Sequence, residues 1–279
     1  MTRDEISAAT GRETELKFSL RAETAVPART DDDRTRAVLA ALESAGFETA
    51  GPKTHEIADE YFDTPELALD EMGHSVRIRN KDGDRWVTVK AGGRDASGVF
   101  DRRETEFPID RARHERCVAT GFAELLDELL PDLPKHGETE GRRLLARTVR
   151  VINKRAVYRI RREDQELALS IDRFFAIDER NPKRLRQSRH FDELEIEAEN
   201  EPGRAAIEPI RAQLAGELER LGYEPSSASK YGQAVRALRL NARGPVERFR
   251  SLRTIDQIAV LSFALALIAL VLGVIGLLV

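Results

Sequence analysis

Polar and apolar residues alternate along much of this chain, and the alternation predicts a protein built mainly from β-strands. In the first such segment, residues 13–20, the charged Glu13, Glu15 and Lys17 alternate with threonine or apolar residues. Successive side chains of a strand point to opposite faces, so these three charges share one face. Such segments, bounded by turn residues, predict eight strands at about 13–20, 53–63, 74–80, 85–91, 101–108, 146–162, 165–178 and 189–199.

Apolar residues recur with helical spacing in five other segments. These predict helices at about 34–46, 65–71, 114–130, 203–221 and 229–241. Short turns at 81–84 and 163–164 join neighbouring strands as hairpins, which makes those strands antiparallel. The sequence therefore predicts an α+β fold: an eight-stranded antiparallel β-barrel (tunnel) with helices packed outside, plus a C-terminal transmembrane helix. Eight strands enclose room for side chains or for one small ligand.

Residues 258–279 contain no charged residue and predict a membrane span. At about 1.5 Å per residue they reach roughly 33 Å, enough to cross a hydrocarbon core of about 30 Å. Arginines precede the span, and positive flanking charge tends to stay in the cytoplasm. No apolar segment follows Met1, so no secretory signal is expected. We therefore expect a single-pass, tail-anchored protein with a cytoplasmic domain, divided into a tail at 1–10, a domain at 11–241, a basic linker at 242–257 and an anchor at 258–279.

Composition and charge exclude some classes of function. Charged residues make up 34% of the 279 residues, but the net charge is only −4, so no nucleic-acid partner is expected. The single cysteine, Cys117, excludes an internal disulfide and any metal site that needs several cysteines. The positions of the charges are therefore more informative than their sum.

All the predicted strands except the second have one charged face. Acidic residues predominate on the first and eighth strands and at Asp172 of the seventh, whereas basic residues predominate on the third, fourth and sixth. The acidic positions are Glu13, Glu15, Glu104, Glu106, Asp172, Glu193, Glu195 and Glu197. The basic positions are Lys17, Arg77, Arg79, Lys90, Arg102, Arg155, Arg159 and Arg161.

Two interpretations of these faces are open from the pattern alone. In an ordinary half-buried antiparallel sheet, the charged faces would meet water and the apolar faces would form the core. Alternatively, the charged faces line the inside of the barrel, and the helices at 34–46, 114–130 and 203–240 cover the apolar faces from outside. The sorting of acids and bases by strand favours the second interpretation, because a solvated face gains nothing from it.

Charges in such a lumen must be paired or neutralised by a ligand. A carboxylate cluster suits a divalent cation that prefers oxygen ligands, Mg²⁺ or Mn²⁺, and a cluster of Arg and Lys suits a polyanion. A metal-bound polyphosphate satisfies both. In phosphoryl transfer, cationic side chains neutralise phosphoryl oxygens and a bound metal orients or activates water.

An ordered set of nine motifs resembles the CYTH, or triphosphate tunnel metalloenzyme, superfamily over about residues 11–240. In chain order these are Glu13-x-Glu15-x-Lys17, Tyr61-Phe62-Asp63-Thr64, Arg77-x-Arg79, Lys90, Arg102-x-Glu104-x-Glu106, Arg155, Asp172, Glu195-x-Glu197 and Ser229-Lys230. The first motif is the family's hallmark; it is unspecific by itself, and the order of all nine carries the resemblance. The resemblance implies an eight-stranded tunnel that acts on triphosphates with Mg²⁺ or Mn²⁺.

The resemblance also implies roles for individual residues. Metal ligands or water-orienting groups would be Glu13, Glu15, Asp172, Glu195 and Glu197, with Glu193 as a further carboxylate in the same phase. Catalysis would involve Glu13, Glu15, Lys17, Glu195 and Glu197. The triphosphate would be held by Lys17, Arg77, Arg79, Lys90, Arg155 and Lys230. Further tunnel residues would be Arg102, Glu104, Glu106 and Arg159. Which two of Glu193, Glu195 and Glu197 bind metal stays open, and Asn153 stands where relatives often carry a basic residue.

The shared tunnel residues do not select one activity within the superfamily. Hydrolysis of inorganic triphosphate or of a small organic triphosphate is the leading interpretation, because the sequence contains no evident nucleobase pocket. A class IV adenylyl cyclase, which forms cyclic AMP from ATP, is the nearest alternative. A third interpretation is a membrane-proximal sensor that binds triphosphate or polyphosphate without turnover.

Overall fold

The computed structural model describes residues 9–20, 31–91, 99–122, 145–180, 186–238 and 240. The strands within these residues are β1 Ala9–Leu20, β2 Glu48–Asp63, β3 Ser75–Lys81, β4 Asp84–Ala91, β5 Val99–Pro108, β6 Ala146–Arg162, β7 Gln165–Asp178, β8 Phe191–Ala198 and β9 Tyr223–Pro225. The helices are α1 Asp31–Ser44, α2 Ala68–Glu71, α3 Arg111–Thr120, α4 Glu201–Arg220 and α5 Lys230–Ala237.

Eight of these strands close into an antiparallel barrel. Their order around it is β1-β5-β4-β3-β2-β6-β7-β8, and β1 closes the ring by pairing with both β5 and β8. The predicted closed barrel is therefore confirmed. Strand β9, which pairs with the last residues of β1, is not among the predicted strands, because three residues are too few to show an alternation.

The apolar faces of the strands point outward and are covered by helices. One core cluster joins α1 and α4 to β1, β7 and β8 through side chains such as Leu42, Leu194, Ile196, Ile207 and Ile210. A second cluster joins α3 to β3, β4 and β5 and includes the cysteine of α3. Burial of each large aliphatic side chain stabilises the fold by about 1.5–3 kcal/mol. With the apolar faces outside, the charged faces point into the barrel, as the second interpretation of the pattern predicts.

The strand predicted at 53–63 and the helix predicted at 114–130 differ most in extent from the structure. Strand β2 begins at Glu48 rather than at 53, because it continues through a register shift between Ala50 and Lys53 that interrupts the alternation. The helix predicted at 114–130 is described as α3, which ends at the left-handed Gly121 with φ of 55°. Residues 123–144 lie outside the described residues.

The membrane prediction falls on residues that the structure does not describe. Among the helices of the described ranges, none is long and apolar enough to span a membrane. The predicted anchor at 258–279, the linker at 242–257 and residues 1–8 of the tail lie outside those ranges.

Helix α5 brings its first residues to the inside of the barrel. The hydroxyl of Ser229 caps the helix by accepting a hydrogen bond from the Gly232 N–H at 3.0 Å. The ring of Tyr231 stacks on that of Tyr61 from β2, with 5.0 Å between the ring centroids. The Tyr231 hydroxyl donates to Asp63 Oδ2 at 2.9 Å. These contacts place the neighbouring Lys230 against the lumen charges.

Candidate active site

The lumen contains a cavity of about 190 Å³ whose walls are almost entirely charged. The carboxylates that line it are Glu13, Glu15, Glu104, Glu106, Glu195 and Glu197. The cationic side chains that line it are Lys17, Arg77, Arg79, Lys90, Arg102, Arg155 and Lys230. Tyr61, Ser75 and Ser229 complete the lining. The structure thus brings the charged faces of separate strands around one shared space.

The hallmark glutamates of β1 are paired with cations from β4 and β5. Lys90 Nζ donates to both carboxylate oxygens of Glu13, at 2.6 and 2.7 Å, and Arg102 Nε donates to Glu13 Oε2 at 2.9 Å. Arg102 Nη2 also donates to Glu15 Oε1 at 2.7 Å. Burial raises the pKa of Glu13, but Lys90 and Arg102 outweigh this effect and hold it well below its usual range. Both glutamates therefore hold lumen cations in place.

A second cluster unites three buried carboxylates from β7 and β8. Asp172, Glu193 and Glu195 each offer an oxygen, and these oxygens lie within 4.8 Å of one another. Lys230 Nζ contacts Glu193, lies 2.9 Å from Asp172 Oδ2 and lies 2.7 Å from Glu195 Oε1. Lys17 Nζ lies 2.7 Å from the same Glu195 oxygen. We call Asp172, Glu193 and Glu195 the carboxylate cluster.

Arg155 of β6 joins the carboxylate cluster to the cavity. Its guanidinium forms a bidentate pair with Asp172, at 2.7 and 2.6 Å, and also donates to Glu195 Oε2 at 2.5 Å. Burial raises the pKa of both carboxyl groups, but the nearby cations outweigh it and hold both pKa values below the usual range. For Glu193, burial outweighs Lys17 and Lys230 and raises the pKa to about 7. One member of the cluster is thus much easier to protonate than the other two.

Asn153 borders the carboxylate cluster, and only one of its two side-chain polar atoms has a hydrogen-bond partner among the described residues. Its Nδ2 donates to Asp172 Oδ1 at 2.8 Å, and the residue is 1% exposed. Its Oδ1 is buried and accepts no hydrogen bond from the described residues. A buried oxygen without a partner normally points to a bound ion, water or ligand. The neighbouring Lys154 is exposed, so it does not supply the basic group that relatives often carry here.

The cluster is chemically suited to a hard divalent cation. Its donors are carboxylate oxygens, with the free amide oxygen of Asn153 beside them. Oxygen donors of this kind suit Mg²⁺ or Mn²⁺ rather than zinc. The residues that are present therefore fit the kind of metal ion that the resemblance implies.

Glu197 differs from the other lumen glutamates. Its side chain lines the cavity but forms no hydrogen bond or ion pair with another residue of the described ranges. Burial, together with the charges of Glu13, Glu15 and Glu195, raises its pKa to about 7, and Lys90 only partly opposes this. The cavity wall therefore contains a carboxylate that neither accepts a hydrogen bond nor pairs with a cation within the described part of the chain.

Asp59, which is not among the site residues predicted from the sequence, holds the two arginines of β3. Arg79 donates to Asp59 through Nε at 2.8 Å and through Nη2 at 2.9 Å, and Arg77 Nη1 lies 3.5 Å from Asp59 Oδ2. Burial raises the pKa of Asp59, but the two arginines outweigh it and hold the pKa far below normal. The interpretation that the second strand has no charged face is therefore wrong. The alternation of Asp59, Tyr61 and Asp63 is the signal that could have revealed it.

The further tunnel residues divide into two groups. Arg102 and Glu104 line the cavity, with Glu104 3.3 Å from Lys90, and Glu106 lines it while accepting a hydrogen bond from the Thr88 hydroxyl at 2.8 Å. Arg159 is exposed and does not line the cavity, so its prediction as a tunnel residue is wrong. Strand β6 is 17 residues long, and near its end the face that carries Arg155 meets solvent instead of the lumen.

The sequence matches the model of the CYTH domain over residues 11–232, more than half of the chain. A search of the curated proteins finds no match.

Solved structures with a similar fold include a Hippeastrum protein classed with the adenylyl cyclases and described as having a dominant triphosphatase activity. It is 23% identical, with a TM-score of 0.51, and the match covers 84% of this chain and 99% of that one. A Bacillus halodurans protein classed with the adenylate cyclases is 14% identical, with a TM-score of 0.45 and coverage of 80% and 98%. A protein from Pyrococcus horikoshii OT3 is 18% identical, with a TM-score of 0.44 and coverage of 82% and 99%. The first of these likenesses shows the fold.

Proposed function

The chain belongs to the CYTH domain family, and on this premise we propose that it is a divalent-metal-dependent triphosphatase, a hydrolase of phosphoric anhydrides. Its substrate is inorganic triphosphate or a small organic triphosphate. The observation that supports this proposal best is the cavity of about 190 Å³, in which cationic side chains and carboxylates face one another. Its relative from Hippeastrum, described as having a dominant triphosphatase activity, is consistent with this choice.

The triphosphate binds as a further anionic partner of the lumen cations. The cations that reach it are Lys17, Arg77, Arg79, Lys90, Arg155 and Lys230. Each is held in position by an internal carboxylate, so binding leaves no buried cation unpaired. The planar guanidinium groups match pairs of phosphoryl oxygens, which favours a polyphosphate over a simple carboxylate ligand.

The carboxylate cluster would hold the divalent cation, which we propose to be Mg²⁺ or Mn²⁺. When bound, such a cation would supply positive charge to the phosphoryl oxygens and would make water easier to deprotonate. Glu13 and Glu15 act differently, because their oxygens are engaged by Lys90 and Arg102. Their role in this proposal is to position these two cations against the substrate.

Glu197 is the carboxylate best placed to accept a proton from the attacking water, because its side chain faces the cavity with neither a hydrogen bond nor an ion pair in the described ranges, whereas Glu106 accepts a hydrogen bond from Thr88. Water adds to the terminal phosphorus, the bond from that phosphorus to the bridging oxygen breaks, and the electron pair leaves with diphosphate. The arginines and lysines of the lumen stabilise the charge that develops on the leaving group.

The aromatic content of the cavity favours inorganic triphosphate over ATP. Tyr61 is the one aromatic side chain among the described lining residues, and its ring is stacked on Tyr231 with 5.0 Å between centroids. Tyr61 is only 3% exposed, so its ring offers little surface on which a nucleobase could stack.

We further propose that residues 258–279 tether the domain to a membrane with the tunnel in the cytoplasm, on the evidence of their uncharged sequence.

A matched pair of variants on one strand tests the proposal. Phosphate release from tripolyphosphate, ATP and thiamine triphosphate is measured with Mg²⁺ or Mn²⁺, and cyclic AMP is assayed alongside. We expect Arg155→Met to lower kcat/KM by about 100-fold, the usual effect of losing one group that stabilises transition-state charge. The exposed Arg159→Met, in the same alternation phase, should change it less than twofold. Cyclic AMP formation with negligible phosphate release would contradict the proposal, and tight binding without turnover would favour the sensor.

A further inference from the structure

Lys230 pairs with all three carboxylates of the carboxylate cluster, and a role as a triphosphate contact does not explain this pairing. We propose that its ammonium group is a built-in competitor of the divalent cation, and that cation uptake therefore requires Lys230 to leave the cluster. The inference rests on the proposed function only for the identity of the anion that then receives Lys230, namely the triphosphate.

The first support is the geometry of the ammonium group. Lys230 is 5% exposed, and its Nζ contacts Glu193 while lying 2.9 Å from Asp172 and 2.7 Å from Glu195. It therefore pairs with all three carboxylates, whose ligand oxygens lie within 4.8 Å of one another. Mg²⁺ and Mn²⁺ need such oxygens at close to 2 Å. An ammonium group and a divalent cation cannot share these positions, because they would compete for the same lone pairs and repel each other.

The second support is the origin of Lys230. It comes from α5 and not from the barrel wall, and Gln233, almost one helical turn later, donates to Glu193 Oε2 at 2.5 Å. One face of α5 is thus directed at the cluster. Lys230 also lines the cavity, so the same side chain has access to a triphosphate there. A triphosphate that attracts the ammonium group frees the carboxylates, and by thermodynamic reciprocity a cation in the cluster favours triphosphate binding.

The third support is the free oxygen beside the cluster. Asn153 Oδ1 is buried and accepts no hydrogen bond from the residues that the structure describes, while its Nδ2 holds Asp172. Lys230 satisfies the carboxylates but leaves this oxygen without a donor or a cation. A metal ion or a water molecule attached to one would supply what is missing.

The test is a titration with Mn²⁺ alone, in which free Mn²⁺ is followed by electron paramagnetic resonance and no triphosphate is present. We expect Lys230→Met, which keeps the length of the side chain but removes its charge, to bind Mn²⁺ at least tenfold more tightly than the unmodified protein. Lys90→Met is the matched control, because Lys90 is a lumen lysine whose ammonium group pairs with Glu13. It should change Mn²⁺ affinity less than threefold.

Unchanged or weaker Mn²⁺ binding by Lys230→Met would overturn the inference, and so would an equal gain in Lys90→Met, which would indicate a general effect of charge. Circular dichroism checks that each variant is folded. If Lys230→Met does not fold, Lys230→Gln keeps a polar group at this position and carries the same expectation of tighter binding. A protein that hydrolyses no triphosphate yet shows the difference between the two lysine variants would support this inference while refuting the proposed function.

Discussion

Replacing Asp59 by asparagine tests whether an internal carboxylate holds the lumen arginines. Asp59 is 1% exposed, accepts two hydrogen bonds from Arg79 and lies 3.5 Å from Arg77. Asparagine has nearly the same shape but no charge, so two guanidinium groups lose their counter-ion. Removing one partner of a buried pair costs about 3–5 kcal/mol. We expect about 3 kcal/mol, the lower end of that range, because Glu104 remains 3.8 Å from Arg77 and the Arg79 side chain is 13% exposed.

This loss is measurable as a fall in melting temperature. At about 2–4 °C per kcal/mol for a domain of this size, we expect Asp59→Asn to lower Tm by about 6–12 °C. Tripolyphosphate supplies new negative charge to the same guanidinium groups, so it should raise Tm more in the variant than in the unmodified protein. Differential scanning fluorimetry with and without tripolyphosphate measures both effects. Glu166→Gln, which removes an exposed partner of Arg161, should change stability by less than about 0.5 kcal/mol.

Two results would refute this reasoning. A destabilisation below about 1 kcal/mol would mean that the arginines do not depend on Asp59 for their counter-ion. An equal rise in Tm with tripolyphosphate in both proteins would mean that the ligand does not take over the role of the missing carboxylate.

Further expectations concern pH, α5, the tail and the metal. Burial raises the pKa of Asp63 to about 6; the folded state therefore binds this proton more tightly than the unfolded chain, and stability falls as pH rises from about 4 to about 6. Asp63→Asn should flatten that fall in urea unfolding at each pH. Tyr231→Phe removes the donor to Asp63 and should cost about 1–2 kcal/mol in urea unfolding, whereas Tyr158→Phe, which is half-exposed, should cost less than about 0.5 kcal/mol. Deletion of residues 256–279 should leave triphosphate turnover unchanged, and a lost activity would mean that this segment does more than tether. EDTA should abolish phosphate release, and added Mg²⁺ or Mn²⁺ should restore it; turnover that persists in EDTA would contradict the metal requirement.

Much of the candidate site could be predicted from the two-residue period. Once residues 13–17 and 76–79 are strands, Glu13 and Lys17 must share a face, and so must Arg77 and Arg79. The period does not say whether that face points to water or to a lumen, because both arrangements alternate. Only the sorting of charges by strand and the supply of amphipathic helices favoured the lumen, and the structure confirms it.

The remaining features depend on the lengths of the strands and on the packing of the helices, which the two-residue alternation of side chains does not encode. Arg159 has the correct phase but lies beyond the lumen, because β6 continues past the point where the barrel can enclose it. Asp59 could not be singled out because acidic residues occur in both phases of its strand, at Glu56 and Glu60 as well as at Asp59 and Asp63, so the charges define no single face. The partners of Lys230 could not be derived at all, since they depend on where α5 packs, which is fixed by the stacking of Tyr231 on β2.

The site can form only late in folding, because strand β1 closes the barrel by pairing with both β5 and β8. Its Glu13 meets Arg102, 89 residues further along the chain, and its Lys17 meets Glu195 of β8 later still. Although β1 is synthesised first, it must wait for both neighbours, and contacts so distant in sequence are formed slowly. Until the barrel closes, these ionic groups remain hydrated and no enclosed cavity brings them together. A chain that stops before β8 would therefore have no active site. Measurable triphosphate hydrolysis would indicate that the barrel is complete.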